Sequence, residues 1–346
     1  MEIQEEKYNI LKLDPDQLES FLIQHGFKKF RASQINNWIW NKKIIDPDKM
    51  TNIPAEIRNY INPDQGLPLI KKVNNSDPEA VLILVELQDK NLIEMVIIDK
   101  ENHYTLCVST GVGCPLKCKF CATGKMPYKR QLTSFEIIWQ MWLAQHYLIS
   151  QGEFKNIRNV VMMGMGEPFL DPQGAVHAAQ WLADKRSLNM GQRRITISTA
   201  GVVPGINYMA KINRQFRLAV SLNAVSDRMR RELMPVNKKW NLDKLLGAVR
   251  HYVEATNRAV TFEYVMLKSI NDQPEHAAQL IKLIRGIKCK VNLIPYNQAV
   301  EYFQPPTPDN LDRFQNKLKK AGVETTVRLS SGKNIKAGCG QLAGEF

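Results

Sequence analysis

Three cysteines on one short segment carry the strongest chemical signal in the chain. In GVGCPLKCKFCATGK, Cys114, Cys118 and Cys121 follow the spacing Cys-x3-Cys-x2-Cys, and thiolates this close along one loop can converge on a single inorganic centre. Three thiolates leave one iron of a four-iron cluster without a protein ligand, and an open iron is a place for substrate chemistry. A structural zinc wants a fourth ligand, but His103 precedes the segment and no histidine follows within close reach. Zinc or inert thiols is therefore the bland alternative. A second segment, VVMMGMGEP, sets Gly164, Gly166 and Glu167 just after an apolar run; alone, such a turn is more often a tight loop than a binding site. Cys107 in TLCVS and the isolated Cys289 read by residue type as small buried hydrophobes. Cys339 in GCGQ sits on a glycine-rich stretch that reads as a mobile loop, better suited to a nucleophile than to a core.

These residues need a scaffold, and the hydrophobic pattern supplies one. The apolar runs YTLCVST, NVVMM, RITIST, RLAVSL, VTFEYVML and KVNLIPY are each followed by helical sequence, and TTVRLS closes the series. Strand and helix alternating about six times predicts an α/β fold, a parallel sheet flanked by helices as an open sheet or a partial or full barrel. Sites in such folds lie at the C-terminal ends of the strands, which is where both motifs fall. Upstream, AVLILVEL and LIEMVII around the polar QDKN read as a β-hairpin. Before that come short helices: Asp14-Pro15 with Gln17 forms a capping signal, Ile35, Trp38 and Ile39 share a helical face, and a third helix follows Pro54 with Ile57 and Ile61. The expected division is a helical accessory domain over 1–72, a hairpin linker over 73–99 and a catalytic core over 100–346.

Composition narrows the partners. The 346 residues are 44% apolar and 23% charged, ordinary globular proportions that exclude a largely disordered chain. Lys plus Arg number 47 against 34 Asp plus Glu, a formal charge of +13, which favours a polyanionic partner such as nucleic acid. No apolar run approaches the roughly 20 residues that span a bilayer, and MEIQEEKYNI lacks the pattern of a secretory signal. The expectation is a cytoplasmic protein, without membrane association, whose six cysteines are reduced unless chemistry uses them.

The cysteine motif, with the aromatic Phe120 before its last member, resembles the radical S-adenosylmethionine (SAM) superfamily, and GMGEP resembles that superfamily's glycine-rich GE motif. TLCVS, CKFCATGK, MMGMGEP, RRITISTAGVVPGI, AVSLNA, FEYVML, VNLIPYN and AGCGQLAG, in that order, are similar to the RlmN/Cfr family of dual-specificity RNA methyltransferases over nearly the whole chain. The resemblance implies a partial (βα)6-type radical SAM barrel, with Cys114, Cys118 and Cys121 as ligands of a [4Fe-4S] cluster. It implies SAM contacts from Gly166, Glu167, Ser198, Ser221, Leu222, Asn223 and Asn297. It makes Cys339 the methyl-carrying nucleophile, Cys107 the thiol that resolves the adduct by forming a disulfide with Cys339, and Glu94 the base for the ring proton. The implied partners are 23S rRNA, tRNA and an electron donor such as flavodoxin, for a monomeric enzyme.

Two departures bear on these expectations. Family members commonly have His where Asn223 stands, and GKNIKAGCGQL carries Lys333, Asn334, Lys336 and Gly338 where relatives have acids and Ala, which makes the terminal loop more basic and looser. Lys336, three residues before Cys339, is the cation nearest to it in sequence. GMGEP favours methylation at adenine C2 over the C8 chemistry of the family's antibiotic-resistance members. A cluster-bearing RNA-binding or assembly factor without turnover is the alternative of a different class. The basic residues Lys117, Lys119, Lys125, Lys129 and Arg130 near the cluster, with Arg193, Arg194, Arg228, Arg230, Arg231, Lys238 and Lys239 further on, are expected to hold RNA phosphates.

Overall fold

The computed structural model describes residues 9–344, so the first eight residues of MEIQEEKYNI lie outside the described residues. The chain opens with α1 (Pro15–Gln24), whose capping box forms as the sequence predicts: Asp14 accepts from the Asp16 and Gln17 amides while Gln17 accepts from the Asp14 amide. Next, α2 (Phe30–Asn36) runs into a π-helical turn, Asn37–Asn41, that buries Trp38, Ile39 and Trp40. The third helix, α3 (Ala55–Arg58), has only four residues, and Ile61 lies past its end, so the expected helical face is cut short.

Ten strands then form one open sheet. A meander of β1 (Leu69–Asp77), β2 (Ala80–Glu86) and β3 (Leu92–Lys100) pairs antiparallel, and β3 pairs antiparallel with β4 (His103–Cys107). The short strands β5 (Gly111–Val112) and β6 (Arg130–Gln131) pair with each other to close the base of the cysteine loop. From there helix and strand alternate: α4 (Ser134–Ser150), β7 (Ile157–Met162), α5 (Pro172–Ala183), β8 (Ile195–Thr199), α6 (Val203–Ile212), β9 (Arg217–Ser221), α7 (Asp227–Leu233), α8 (Leu242–Thr256), β10 (Val260–Met266), α9 (Pro274–Leu283), β11 (Cys289–Pro295), α10 (Pro308–Lys320) and β12 (Glu324–Val327). The order β1-β2-β3-β4-β7-β8-β9-β10-β11-β12 is parallel at every junction from β4 onward. This is the expected partial (βα)6 barrel.

The hairpin differs from its expected role. Its two strands are β2 and β3, and they extend the barrel sheet through β4 instead of linking two domains. The strand before them, β1, starts inside the segment assigned to helices. Its sequence LIKKVNNSD is mostly polar because it is an exposed edge strand, where the apolar alternation that marks a half-buried strand has no reason to appear. The N-terminal helices join the same core. Trp40 meets Trp139 and Trp181 edge-on at 6.3 and 6.0 Å, Trp142 Nε1 donates to the Ile39 carbonyl at 3.1 Å, and Arg186 bridges to Asp16 at 2.7 Å. The accessory segment is thereby clamped to α4 and α5. Among the described residues no helix is long and apolar enough to cross a membrane.

Candidate active site

The cysteine loop leaves the C-terminal end of β4 and coils on itself. The Cys121 amide donates to the Cys118 carbonyl at 3.2 Å and the Gly124 amide to the Cys121 carbonyl at 3.1 Å. The Lys119 amide donates to the Leu233 carbonyl at 2.9 Å, which ties the loop to the end of α7. Cys114, Cys118 and Cys121 line one cavity, open to solvent and shared with Gly166 and Glu167. Burial pushes the Cys114 thiol up to about 12. Cys118 and Cys121 are raised as well, by burial first, and for Cys118 next by the other two thiols. Three mutually repelling thiolates facing one cavity fit a cationic iron centre, because a bound metal reverses that penalty and holds each thiol deprotonated.

The second motif is stitched to the first. The Gly164 amide donates to the Val108 carbonyl at 3.0 Å, the Thr110 amide to the Met165 carbonyl at 2.7 Å, and the Met165 amide to Ser109 Oγ at 2.9 Å. Gly166 has φ +100°, and a Cβ there would lie 2.5 Å from the Gly111 amide nitrogen, so both backbone geometry and space demand glycine. Glu167 follows at once, buried, with Oε2 accepting from the Ala200 amide at 2.7 Å and Oε1 from the Phe169 amide at 3.1 Å. Burial raises its carboxyl to about 7, with the amide donors opposing. A carboxylate so placed suits an ammonium group.

A second cavity runs from Cys107 toward the N-terminal ends of the strands and is lined there by Lys100, His103, Arg194 and Arg217. Cys339, Cys121 and Arg328 line both cavities. Cys339 therefore stands in the wall between the cluster thiols and Cys107. Its loop is docked, contrary to the expected mobility and looseness. The Ala122 amide donates to the Gly340 carbonyl at 2.7 Å, Thr123 Oγ1 to the Leu342 carbonyl at 2.6 Å, Asn297 Nδ2 to the Cys339 carbonyl at 3.1 Å, and the Ala343 amide to Glu94 Oε2 at 2.9 Å. Gly338 is itself close-packed, since a Cβ there would come within 2.6 Å of Gln341 Oε1. The cation beside Cys339 is Arg328, at the end of β12, while Lys336 is exposed. Burial raises the Cys107 thiol to about 12, with Cys339 adding to the rise and Arg328 opposing it.

Most of the expected cofactor residues converge on the first cavity: Gly166, Glu167, Ser198, Ser221 and Asn223 all line it. Asn223 is largely committed elsewhere, with Oδ1 accepting from the Val265 amide at 2.8 Å and Nδ2 reaching Met234 Sδ at 3.3 Å. Leu222 does not reach the cavity. Its side chain is buried, its amide donates to the Glu263 carbonyl and its carbonyl accepts from Arg230 Nε. Asn297 Nδ2 is spent on Ser330 Oγ and the Cys339 carbonyl, while its buried Oδ1 has no partner. Glu94 is buried against the terminal loop, not solvated.

The basic residues divide in a way the sequence does not reveal. Lys117, Lys119, Lys125, Arg228, Arg231, Lys238 and Lys239 are exposed. Arg130 is held by Asp89 and Glu136, each at 2.7 Å. Arg230, expected on the RNA face, is fully buried, where it donates to the carbonyls of Ala200, Ser221 and Leu222 and to Asn237 Oδ1. It fastens the ends of β8 and β9 beneath the first cavity. Sequence reasoning missed Arg328 and Glu263, which line that cavity from β12 and β10. The one available signal was a charged residue inside an apolar strand run, as in VTFEYVML.

Comparison with known proteins agrees with this geometry. The Radical SAM superfamily matches residues 108–281, and the ribosomal RNA large subunit methyltransferase N-terminal domain matches residues 8–64. A probable dual-specificity RNA methyltransferase RlmN of Dictyoglomus thermophilum is 40% identical over 337 residues, 96% of each chain. The dual-specificity RNA methyltransferase RlmN of Vesicomyosocius okutanii is 39% identical, covering 98% of this chain and 96% of its own. The crystal structure of a radical SAM methyltransferase from Sphaerobacter thermophilus superposes with a TM-score of 0.92 at 36% identity, over 98% of this chain and 100% of that one. With its loop thiols, GE turn and docked terminal cysteine in one barrel, the chain belongs to the RlmN family of the radical SAM superfamily.

Proposed function

We propose that this protein methylates C2 of an adenosine in 23S rRNA and the adenosine 3′ of the anticodon in tRNA, with Cys339 carrying the methyl carbon. The observation that carries the reading is the position of Cys339 in the wall between the cavity of the cluster thiols and the cavity of Cys107. Relatives named as dual-specificity RNA methyltransferases over nearly the full length support the substrate class, as does the cationic lining of the second cavity.

Cys114, Cys118 and Cys121 would hold a [4Fe-4S] cluster, and Gly166 and Glu167 the ammonium end of SAM. When bound, cluster and SAM supply a transferable methyl group and, on reduction, a 5′-deoxyadenosyl radical. Adenine C2 lacks a usable lone pair, so attack on a sulfonium methyl is closed to it, whereas a carbon radical can add there. Cys339 accepts the methyl at sulfur and presents that carbon to the base. Once the adduct has given up its unpaired electron, which a bound cluster would accept, the Cys107 thiolate attacks the Cys339 sulfur: an S–S bond forms, the S–C bond breaks, and its electron pair stays on the exocyclic carbon, which takes up a proton to complete the methyl group. Glu94 takes the ring proton. Arg328 lines both cavities and favours the ionised form of Cys107.

Anaerobic incubation of the reconstituted protein with SAM, a reductant and RNA tests the reading through 5′-deoxyadenosine and nucleoside mass spectrometry. The expected product is 2-methyladenosine. An 8-methyladenosine product would overturn the regiochemistry, and a full cluster yielding neither 5′-deoxyadenosine nor methylated base would point to a binding factor.

A further inference from the structure

Glu263 sits midway along β10, buried, with its side chain on the wall of the cluster cavity. Its Oε1 accepts from Asn292 Nδ2 at 3.0 Å, and Thr326 Oγ1 donates to Asn292 Oδ1. This relay across β12, β11 and β10 fixes the amide so that its NH2 group must face the carboxylate. Oε2 is buried without a hydrogen-bond partner. An acceptor left in that state is costly, and a native structure that keeps one on a residue lining a cavity points to a donor that arrives with a ligand. The strand register places Glu263 directly beside Ser221 of β9, across the cavity from the Gly166-Glu167 turn that follows β7.

The donor follows from the proposed function, on which this inference rests. If the GE turn takes the ammonium of SAM, the cofactor's remaining donors are the adenine amine and the two ribose hydroxyls. The hydroxyls lie between the ends of the molecule, and a carboxylate accepting from a ribose hydroxyl is a recurrent solution for adenosine cofactors. We propose that Glu263 Oε2 accepts a hydrogen bond from a ribose hydroxyl of SAM, making Glu263 a positioning residue that sets the 5′-carbon against the methyl on Cys339. The Asn292 and Thr326 side chains hold it in that pose.

Equilibrium dialysis of the cluster-loaded protein with SAM and with its 2′-deoxy, 3′-deoxy and 6-deamino analogues tests this. Wild type should lose about tenfold or more in affinity for one of the deoxyribose analogues and less for the deaminated one, as expected for a hydrogen bond to a charged acceptor. Glu263→Gln, which keeps shape and packing, should bind SAM more weakly and lose that discrimination. It should also raise the ratio of 5′-deoxyadenosine to methylated base, because a misplaced 5′-carbon fires without reaching the S-methyl group. Equal binding of SAM and both deoxyribose analogues by wild type overturns the inference without any variant. So does unchanged discrimination in Glu263→Gln, or a preference lost only with the deaminated analogue. Failure of wild type to bind SAM at all overturns the reading of the cavity as well.

Discussion

Glu167 is a carboxylate that the fold holds at a cost, and the cost can be measured. Its ordinary value of 4.5 rises to about 7 through burial. Below pH 4.5 the group is protonated in both the folded and unfolded chain and nothing is lost. Between 4.5 and 7 the unfolded chain gives up its proton first, so the folded state binds more protons and stability falls as pH rises. At roughly 1.4 kcal/mol per pH unit, the loss is complete above pH 7 at about 3 kcal/mol. Glu167→Gln removes the titration. It also turns an NH2 group toward one of the two backbone amides that the carboxylate now satisfies, a constant penalty of about 1–3 kcal/mol. The absolute stability of the variant is therefore ambiguous, but its pH dependence is not. In urea unfolding of the cluster-free proteins, wild type should lose about 2–3 kcal/mol more than Glu167→Gln between pH 5 and pH 8. SAM affinity should drop in the variant chiefly at pH 8, where the wild-type carboxylate supplies a counter-charge for the ammonium, and less at pH 5, where burial keeps that carboxyl protonated. Parallel stability profiles for the two proteins over that range would refute the reasoning.

Replacing Cys114, Cys118 or Cys121 singly by Ala should abolish stoichiometric iron and the visible absorbance of the reconstituted protein, and retention of a redox-active cluster would count against the ligand set. Gly166→Ala forces a side chain into the left-handed region and against the Gly111 backbone, so unfolding should show a destabilisation of about 1–3 kcal/mol together with weaker SAM binding. Cys107→Ala should leave the protein covalently joined to RNA through Cys339, visible as a denaturant-resistant conjugate absent from Cys107→Ala/Cys339→Ala; free methylated RNA at wild-type yield would show that another group resolves the adduct. With the Cys107 thiol at about 12, wild-type release in a single turnover should quicken steadily from pH 7 to 9, and a release rate indifferent to pH would contradict a Cys107 nucleophile.

What the sequence disclosed follows the range of the interactions involved. Cys114, Cys118 and Cys121 are neighbours in one loop, and the capping signal at Asp14 acts within three residues, so spacing alone carries them. The βα alternation was legible because the parallel strands from β7 to β11 carry buried apolar residues, whereas β12, ETTV, is largely polar at the sheet edge. The pairing of Glu94 with the Ala343 amide joins groups 249 residues apart and was not foreseen; the sharing of a cavity wall by Cys107 and Cys339 is similarly remote, and only resemblance brought those two together. Strand β1 escaped because its side chains stay in water. The docked state of the Cys339 loop escaped for a related reason: glycine-rich composition signals backbone freedom, whereas hydrogen bonds donated by Ala122, Thr123 and Asn297 and one accepted by Glu94, all distant in sequence, remove it.

The charge count illustrates the same limit and suggests what the surplus is for. A net +13 reads as an affinity for polyanions, and the exposed lysines and arginines near the strand ends suit that use. Two of the arginines do something else. Arg230 is buried beneath the cluster cavity, bonded to three carbonyls and an amide oxygen, with Cys118 among the groups that favour its charge. Arg328 stands between the cavities, its charge favoured first by Cys339 and then by Glu263 and Cys107. Under the proposed function, cluster thiolates and an ionised Cys107 would gather negative charge in a desolvated lumen, and fixed guanidinium groups offset it without titrating themselves. Nothing in composition separates these internal counter-charges from the external ones. Burial separates them: the same residue type lies against buried thiols inside the barrel and stands exposed at its surface, where a polyanion can reach it.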